Sequence, residues 1–236
     1  MGIAKNTALV LGAAFVVAAT LEATGYRIAD REDGGNFLCD MDPACRALRP
    51  DEIRLAREVF GDEIDYKKVK VFSRPYLFLL GKGDESVTPN GNIYNLKDAV
   101  DGSSPAAIAR QQHFLHEMTH VWQHRQGQNV QIEAARLWLK YDFNYSASYD
   151  YDIDRLSGFG ALNIEQQARF VENYYKIRQE MAERSPILEI IEKGDPEYFK
   201  TARGEECRIL TYYRDILVPV LPVKPEALCA PAKNLA

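Results

Sequence analysis

Apolar positions fall into blocks of different period along the chain. Residues 8–21 form an apolar run without a charge. After Pro50, a residue suited to a first helical turn, Ile53, Ala56, Val59 and Phe60 recur at helical spacing, and Gly61 closes the block. Residues 69–72 alternate weakly and residues 76–80 are a short apolar run ended by Gly81. Pro89-Asn90-Gly91 is a turn leading into Asn92-Ile93-Tyr94, so three short strands are predicted in this region.

A helical period then takes over. Ser104-Pro105 supplies an N-cap and a first-turn proline for a long helix to about residue 125 or 126, stopped by Gly127, with Ile108, Leu115, Met118 and Trp122 as its inner stripe. A second helix is expected over about 132–141, and residues 142–161, rich in Tyr, Asp, Ser and Gly, read as an ordered loop. Asn163 with Gln166 resembles a capping box. Ile164, Ala168, Val171, Tyr175 and Ile177 carry a third helix to about residue 182. Pro186 and Pro196 interrupt the remaining third, leaving one or two short helices between 187 and 216 and an extended, proline-bearing tail. The pattern is that of an α+β protein, helix-rich, with a small antiparallel or mixed sheet against the helices.

Composition narrows the class. The chain has 236 residues, 46% hydrophobic and 27% charged, which suits one ordinary domain with tails and excludes global disorder. Its 29 Lys+Arg against 34 Asp+Glu leave −5 at pH 7, the wrong sign for a nucleic-acid partner. The 14 residues of the apolar run reach only about 21 Å as a helix, short of the roughly 30 Å needed to cross a bilayer. With Lys5 before it and Ala18, Ala19 and Ala23 near its end, residues 1–23 read as a secretory signal peptide or an N-terminal membrane anchor. The chain is therefore expected to be exported or envelope-associated, periplasmic or secreted, with a cytoplasmic location as the alternative. Four cysteines fit that compartment as two disulfides, Cys39 with Cys45 and Cys207 with Cys229, cross-pairing of the two ends being the other arrangement.

The candidate chemistry lies in the long helix. His116-Glu117-Met118-Thr119-His120 is an H-E-x-x-H motif holding two of the four histidines. Residues four apart share a helix face, so both imidazoles can reach one zinc ion, while Glu117 beside them can take a proton from water activated by that ion. A third protein ligand is required. His113 and His124 continue the same helix and spread too far along it, and Gln123 and Gln126 occupy the glycine and third-histidine positions of the extended motif. A carboxylate from a later element is preferred: Glu133, Asp142, Asp150, Asp152, Asp154, Glu165 or Glu172. Glu165 stands in the first turn of a capped helix, a rigid place for a ligand and equally an ordinary one for an acidic residue.

Several stretches together resemble a known family. They are Arg49-Pro50-Asp51-Glu52 through Val59-Phe60-Gly61-Asp62, Pro89-Asn90-Gly91-Asn92-Ile93-Tyr94, His116 to His124 (HEMTHVWQH), Tyr149-Asp150-Tyr151, and Ile164-Glu165-Gln166-Gln167-Ala168. Over roughly residues 48–180 the chain is similar to the bacterial Vgr-related proteins. These are zinc metallopeptidases of gluzincin-like type, named for their association with type VI secretion spike genes. The resemblance implies a zincin-like fold, zinc bound by His116, His120 and Glu165, and Glu117 as catalytic base. It also implies that Asn92 to Tyr94 is an edge strand open to an extended substrate. Many gluzincins carry an acidic residue four after the glutamate ligand; here it is Arg169. The chain then divides into residues 1–23, an irregular segment 24–48, a metallopeptidase-like domain 49–185 and a C-terminal extension 186–236.

Tyr145, Tyr149 and Tyr151 precede Glu165, and a tyrosine hydroxyl near the metal could stabilise an oxyanion. Tyr149 and Tyr151 are favoured: two apart in an extended segment they would face the same side, whereas a turn at Asp150 would separate them. The function expected is a zinc-dependent hydrolase of peptides or proteins, with a secretion apparatus or the envelope as partner. Two other readings are a non-catalytic metallopeptidase-like binding module and a peptidoglycan endopeptidase or amidase. The intact Glu117 argues against the binding module, which has no need of a base beside its metal ligands.

Overall fold

The computed structural model describes residue 39, residues 42–76, 86–96, 100–194, 196–224 and residue 229, with side chains omitted for 183–203. The leader-like run and most of the 76–80 strand expectation lie outside the described residues.

A three-stranded sheet is built from β1 (Cys45–Ala47), β2 (Lys70–Phe72) and β3 (Ile93–Tyr94), in that order. β1 runs antiparallel to β2 with Arg46 opposite Val71, and β3 runs parallel to β2 with Val71 opposite Ile93. The sheet is therefore mixed. β1 falls inside the segment expected to be irregular: three residues carry too short an alternation to register, and their pairing partner is more than twenty residues away. β3 is not an open edge as the resemblance implied. On its far side Tyr94 exchanges both backbone hydrogen bonds with Val87, at 2.9 and 3.1 Å, so among the described residues the outermost backbone is the Val87–Thr88 stretch.

Three helices follow the pattern read from the sequence. α1 (Pro50–Phe60) is tied to β1 through Glu52, whose fully buried carboxylate takes two 2.8 Å bonds from Arg46 and the Arg49 backbone N–H at 2.7 Å. α2 (Pro105–Arg125) starts at Ser104, whose hydroxyl accepts from the Ala107 N–H. α3 (Val130–Lys140) is capped by Asn129. The 142–161 loop holds three short 3-10 turns, at Tyr145–Tyr149, Ile153–Arg155 and Phe159–Ala161.

The C-terminal third corrects the expectation. α4 (Ile164–Gly194) runs on through Pro186, and α5 (Pro196–Leu217) is one long helix in place of short pieces. Pro196 acts as a helix starter, its missing N–H being one that a first turn leaves unused. The two helices pack on each other, and burial along that contact outweighs the one backbone bond Pro186 cannot donate. Leu210, Tyr213, Leu217, Leu221 and Val223, from the segment taken as an extension, complete the same core as Phe114, Met118, Phe170 and Tyr174. The expected disulfides are formed: Cys39–Cys45 beside β1, and Cys207–Cys229, which fastens the tail to α5.

α2 is the central element. Every residue from 114 to 123 is buried, on all faces of the helix, between the sheet side and α4. That stretch contains His116, Glu117, Thr119, His120 and Gln123. Polar groups so placed need partners, because an unpaired buried amide or hydroxyl costs about 1–3 kcal/mol. Where those partners come from defines the site.

Candidate metal centre

His116 and His120 stand one turn apart on α2, with ring centroids 4.9 Å apart. Glu165, in the first turn of α4, meets them from the facing helix. Its Oε2 lies 3.3 Å from His116 Nε2 and 3.4 Å from His120 Nε2. All three residues are buried, and one ligand atom from each falls within 4.8 Å of the others. The start of α4 is fixed by Asn163, whose Oδ1 accepts from the N–H groups of Glu165 and Gln166, while Gln166 reaches back to the Asn163 N–H. The capping box read from the sequence is thus the device that points Glu165 at α2.

The surrounding hydrogen bonds select which atoms face the centre. Gln123 Nε2 donates to the Ile164 carbonyl and to Gln167 Oε1, both at 2.9 Å, which fixes its Oε1 as an acceptor. That oxygen sits 2.7 Å from His120 Nδ1, so Nδ1 carries a proton and Nε2 is left facing Glu165. On the other imidazole, Nδ1 faces Glu172 Oε2 at 3.6 Å, and Arg169 bonds the same oxygen at 3.1 Å. Arg169, the departure from the gluzincin pattern, therefore braces Glu172, which supplies from further along α4 the carboxylate behind the histidine. On Glu165, Oε1 accepts the Tyr145 hydroxyl at 2.5 Å, whereas Oε2 is buried and takes no hydrogen bond.

Electrostatics agree with a centre built for a cation. Burial works against charge on both imidazoles, but the Glu165 carboxylate outweighs it. His116, with Glu172 adding to the effect, is pushed up to about 10, and His120 is raised in the same direction. Burial alone would lift Glu165, yet His120 and His116 hold it well below the usual carboxylate range. Two imidazole Nε2 atoms facing one buried carboxylate oxygen that lacks a hydrogen bond are a nitrogen–nitrogen–oxygen donor set, and the residues fit a divalent metal.

Glu117 is not one of the three converging groups, but its charge reaches both imidazoles. Its Oε2 accepts the Thr88 hydroxyl at 2.6 Å, both residues being buried, and its Oε1 lies 4.0 Å from His113 Nε2. Thr88 belongs to the backbone paired outside β3, so this carboxylate is anchored where an extended chain could lie. Tyr149 lies beside His116, with ring centroids 5.7 Å apart and planes tilted by 33°. Tyr151 is not brought to the group: its hydroxyl is bonded by Asn173 at 2.8 Å and meets that of Tyr213 at 3.1 Å. The 3-10 turn ends at Asp150, and the alternation that would put both tyrosines on one side does not hold. Among the other carboxylates considered, Asp142, Asp150, Asp152 and Asp154 are exposed, and Glu133 pairs with Arg136.

Sequence reasoning undervalued Tyr145, Gln123 and Thr88. Gln123 counted only as a mismatch to a longer motif. Its one legible signal was a polar residue one turn after His120 on a helix face that continues the apolar stripe.

No family model matches the chain. It is 39% identical over 145 residues to the type VI secretion system spike protein VgrG2b of Pseudomonas aeruginosa, a match that spans 60% of this chain and 14% of that protein. The solved structure of the effector domain of Pseudomonas aeruginosa VgrG2b aligns with a TM-score of 0.53 at 32% identity, over 76% of this chain and 97% of that domain. The chain belongs to the Vgr-related family. It corresponds to a small part of the length of the spike protein, and to nearly all of the effector domain.

Proposed function

We propose that this chain is a zinc-dependent hydrolase of peptide or protein substrates, acting as an effector module of a type VI secretion system. The observation that carries the reading is the buried convergence of His116 and His120 from α2 with Glu165 from α4, next to a separately anchored carboxylate, Glu117. The effector-domain likeness supports the secretion context. Two disulfides support an oxidising destination, and no helix among the described residues is long and apolar enough to cross a membrane.

His116, His120 and Glu165 would hold the ion. Bound there, zinc supplies Lewis-acid polarisation of a carbonyl and a lowered pKa for water. The remaining work falls to the chain. Thr88 holds one Glu117 oxygen, leaving Oε1 to accept the proton of the attacking water and to pass it to the leaving amine. Gln123 and Glu172 keep both imidazoles in a single orientation, so that the protein does not reorganise during the reaction. The backbone at Thr88, next to the paired Val87, offers hydrogen bonds to an extended substrate beside the base. A pure binding module would have no use for a carboxylate held in this way.

The test is metal content and cleavage measured together. Purified protein should hold about one zinc per chain, and Glu117→Gln should keep that zinc while losing cleavage of a denatured protein substrate, because an amide accepts no proton. Absence of metal from the wild type, or full cleavage by Glu117→Gln, refutes the proposal.

A further inference from the structure

The loop between the two helices of the centre contains a device that neither the fold nor the motif requires. Just past α3 and its cap residue Tyr141, two consecutive non-glycine residues have positive φ, Asp142 at 50° and Phe143 at 65°. Such conformations are uncommon and strained outside glycine, so they persist where the surroundings hold them. Here they turn the chain back at once into the 3-10 turn Tyr145–Tyr149. Ser148, fully buried, donates its hydroxyl to the Tyr145 carbonyl at 2.6 Å. The Ser148 carbonyl accepts from Asn163 Nδ2 at 3.0 Å, and the other side of the same amide, Oδ1, caps the Glu165 N–H at 2.9 Å. One asparagine therefore clamps the Tyr145 turn and the Glu165 helix start into a single unit.

The outcome is an asymmetric carboxylate. Glu165 Oε1 is taken by the Tyr145 hydroxyl, and Oε2 faces both imidazoles without a hydrogen bond.

We propose that Tyr145 is a positioning residue that holds Glu165 as a one-oxygen ligand and thereby sets the metal's coordination number. The inference rests on the reading of His116, His120 and Glu165 as a metal centre. With Oε1 occupied, the carboxylate cannot swing to offer both oxygens, and the three protein ligands leave a fourth position open. Without the phenol, Oε1 is free to approach the ion, and Glu165 also loses the contact that orients it.

The experiment uses the full chain loaded with one Co²⁺ or one Zn²⁺, and reads the visible spectrum of cobalt and the zinc affinity against a chelating indicator. Wild type should give the intense bands of four-coordinate cobalt. Tyr145→Phe keeps the ring and removes only the hydroxyl. It should weaken zinc about 10–100-fold, the range for loss of a group that orients a metal ligand, and weaken and shift the cobalt bands toward five-coordination. Tyr151→Phe, whose hydroxyl meets Asn173 and Tyr213 away from the centre, should change neither reading. Ser148→Ala, which leaves the phenol but frees its backbone, should move both in the same direction by less, and it carries the test if Tyr145→Phe does not fold. Wild-type zinc affinity and an unchanged cobalt spectrum in Tyr145→Phe overturn the inference while the metal centre stands. The same pair of readings with lost hydrolysis would make Tyr145 an oxyanion donor and also overturn it. Failure of the wild type to bind either ion overturns the metal reading itself.

Discussion

Gln123→Leu is the sharpest test of how the centre is held. Leucine nearly matches glutamine in volume, so the change leaves no cavity and isolates the hydrogen bonds. Gln123 is fully buried, and its amide joins His120 Nδ1, the Ile164 carbonyl and Gln167 Oε1. Removing it leaves three buried polar atoms to find other partners, each worth about 1–3 kcal/mol if unpaired. Gln167 keeps the bonds that its Nε2 donates to the carbonyls of Phe159 and Leu162, and neighbouring losses are not additive. A net loss of about 2–4 kcal/mol is expected, which for a chain of this size is about 4–16 °C in melting temperature. The metal should suffer as well, by about 10–100-fold in affinity, because His120 loses the acceptor that fixes its Nδ1 proton. Calorimetry of metal-free protein measures the first effect, and zinc competition with an indicator the second. If Gln123→Leu melts with the wild type and binds zinc equally well, the amide is a passenger and the account of His120 orientation fails.

Three further outcomes rest on the same geometry. Gly91 has φ 79°, and a Cβ there would sit 2.5 Å from His124 Cδ2; Gly91→Ala should cost about 1–3 kcal/mol in chemical denaturation, and a neutral result would mean the turn beside Thr88 is free to move. In metal-free protein His116, raised from 6.5 to about 10, contributes stability that is present below pH 6.5 and lost as pH rises through 10. Melting temperature should therefore fall across that window while zinc affinity rises, and a flat profile would contradict the charge pairing with Glu165. Cys207→Ser opens a loop of 22 residues and should cost about 3 kcal/mol by chain entropy; unchanged melting with and without reductant would show that the tail is held by other contacts.

Much of the frame can be read from the chain because it depends on neighbours in sequence. Helix starts at Pro50, Ser104 and Asn163 come from caps and first-turn prolines. The pairing of His116 with His120 comes from helical pitch. The two disulfide partners come from short separations, 6 and 22 residues. The leader-like run makes its claim on composition alone.

What tertiary structure decided has a common cause: it depends on which distant groups meet. Among the later carboxylates, only packing of α4 against α2 could bring Glu165 to the two imidazoles while leaving Glu172 behind His116, since seven residues of helix set them on one face at different heights. The identity of the useful tyrosine turned on a strained corner at Asp142 and Phe143, invisible to any alternation rule. Pro186 did not end α4, because propensity is a local preference of a few kcal/mol and the burial of a long helix pair exceeds it. Gln123 shows the division most plainly. In sequence it is the residue that spoils a longer motif. In the structure it is buried among three partners from two helices, and burial converts an unremarkable amide into the group that decides which nitrogen of His120 faces the centre.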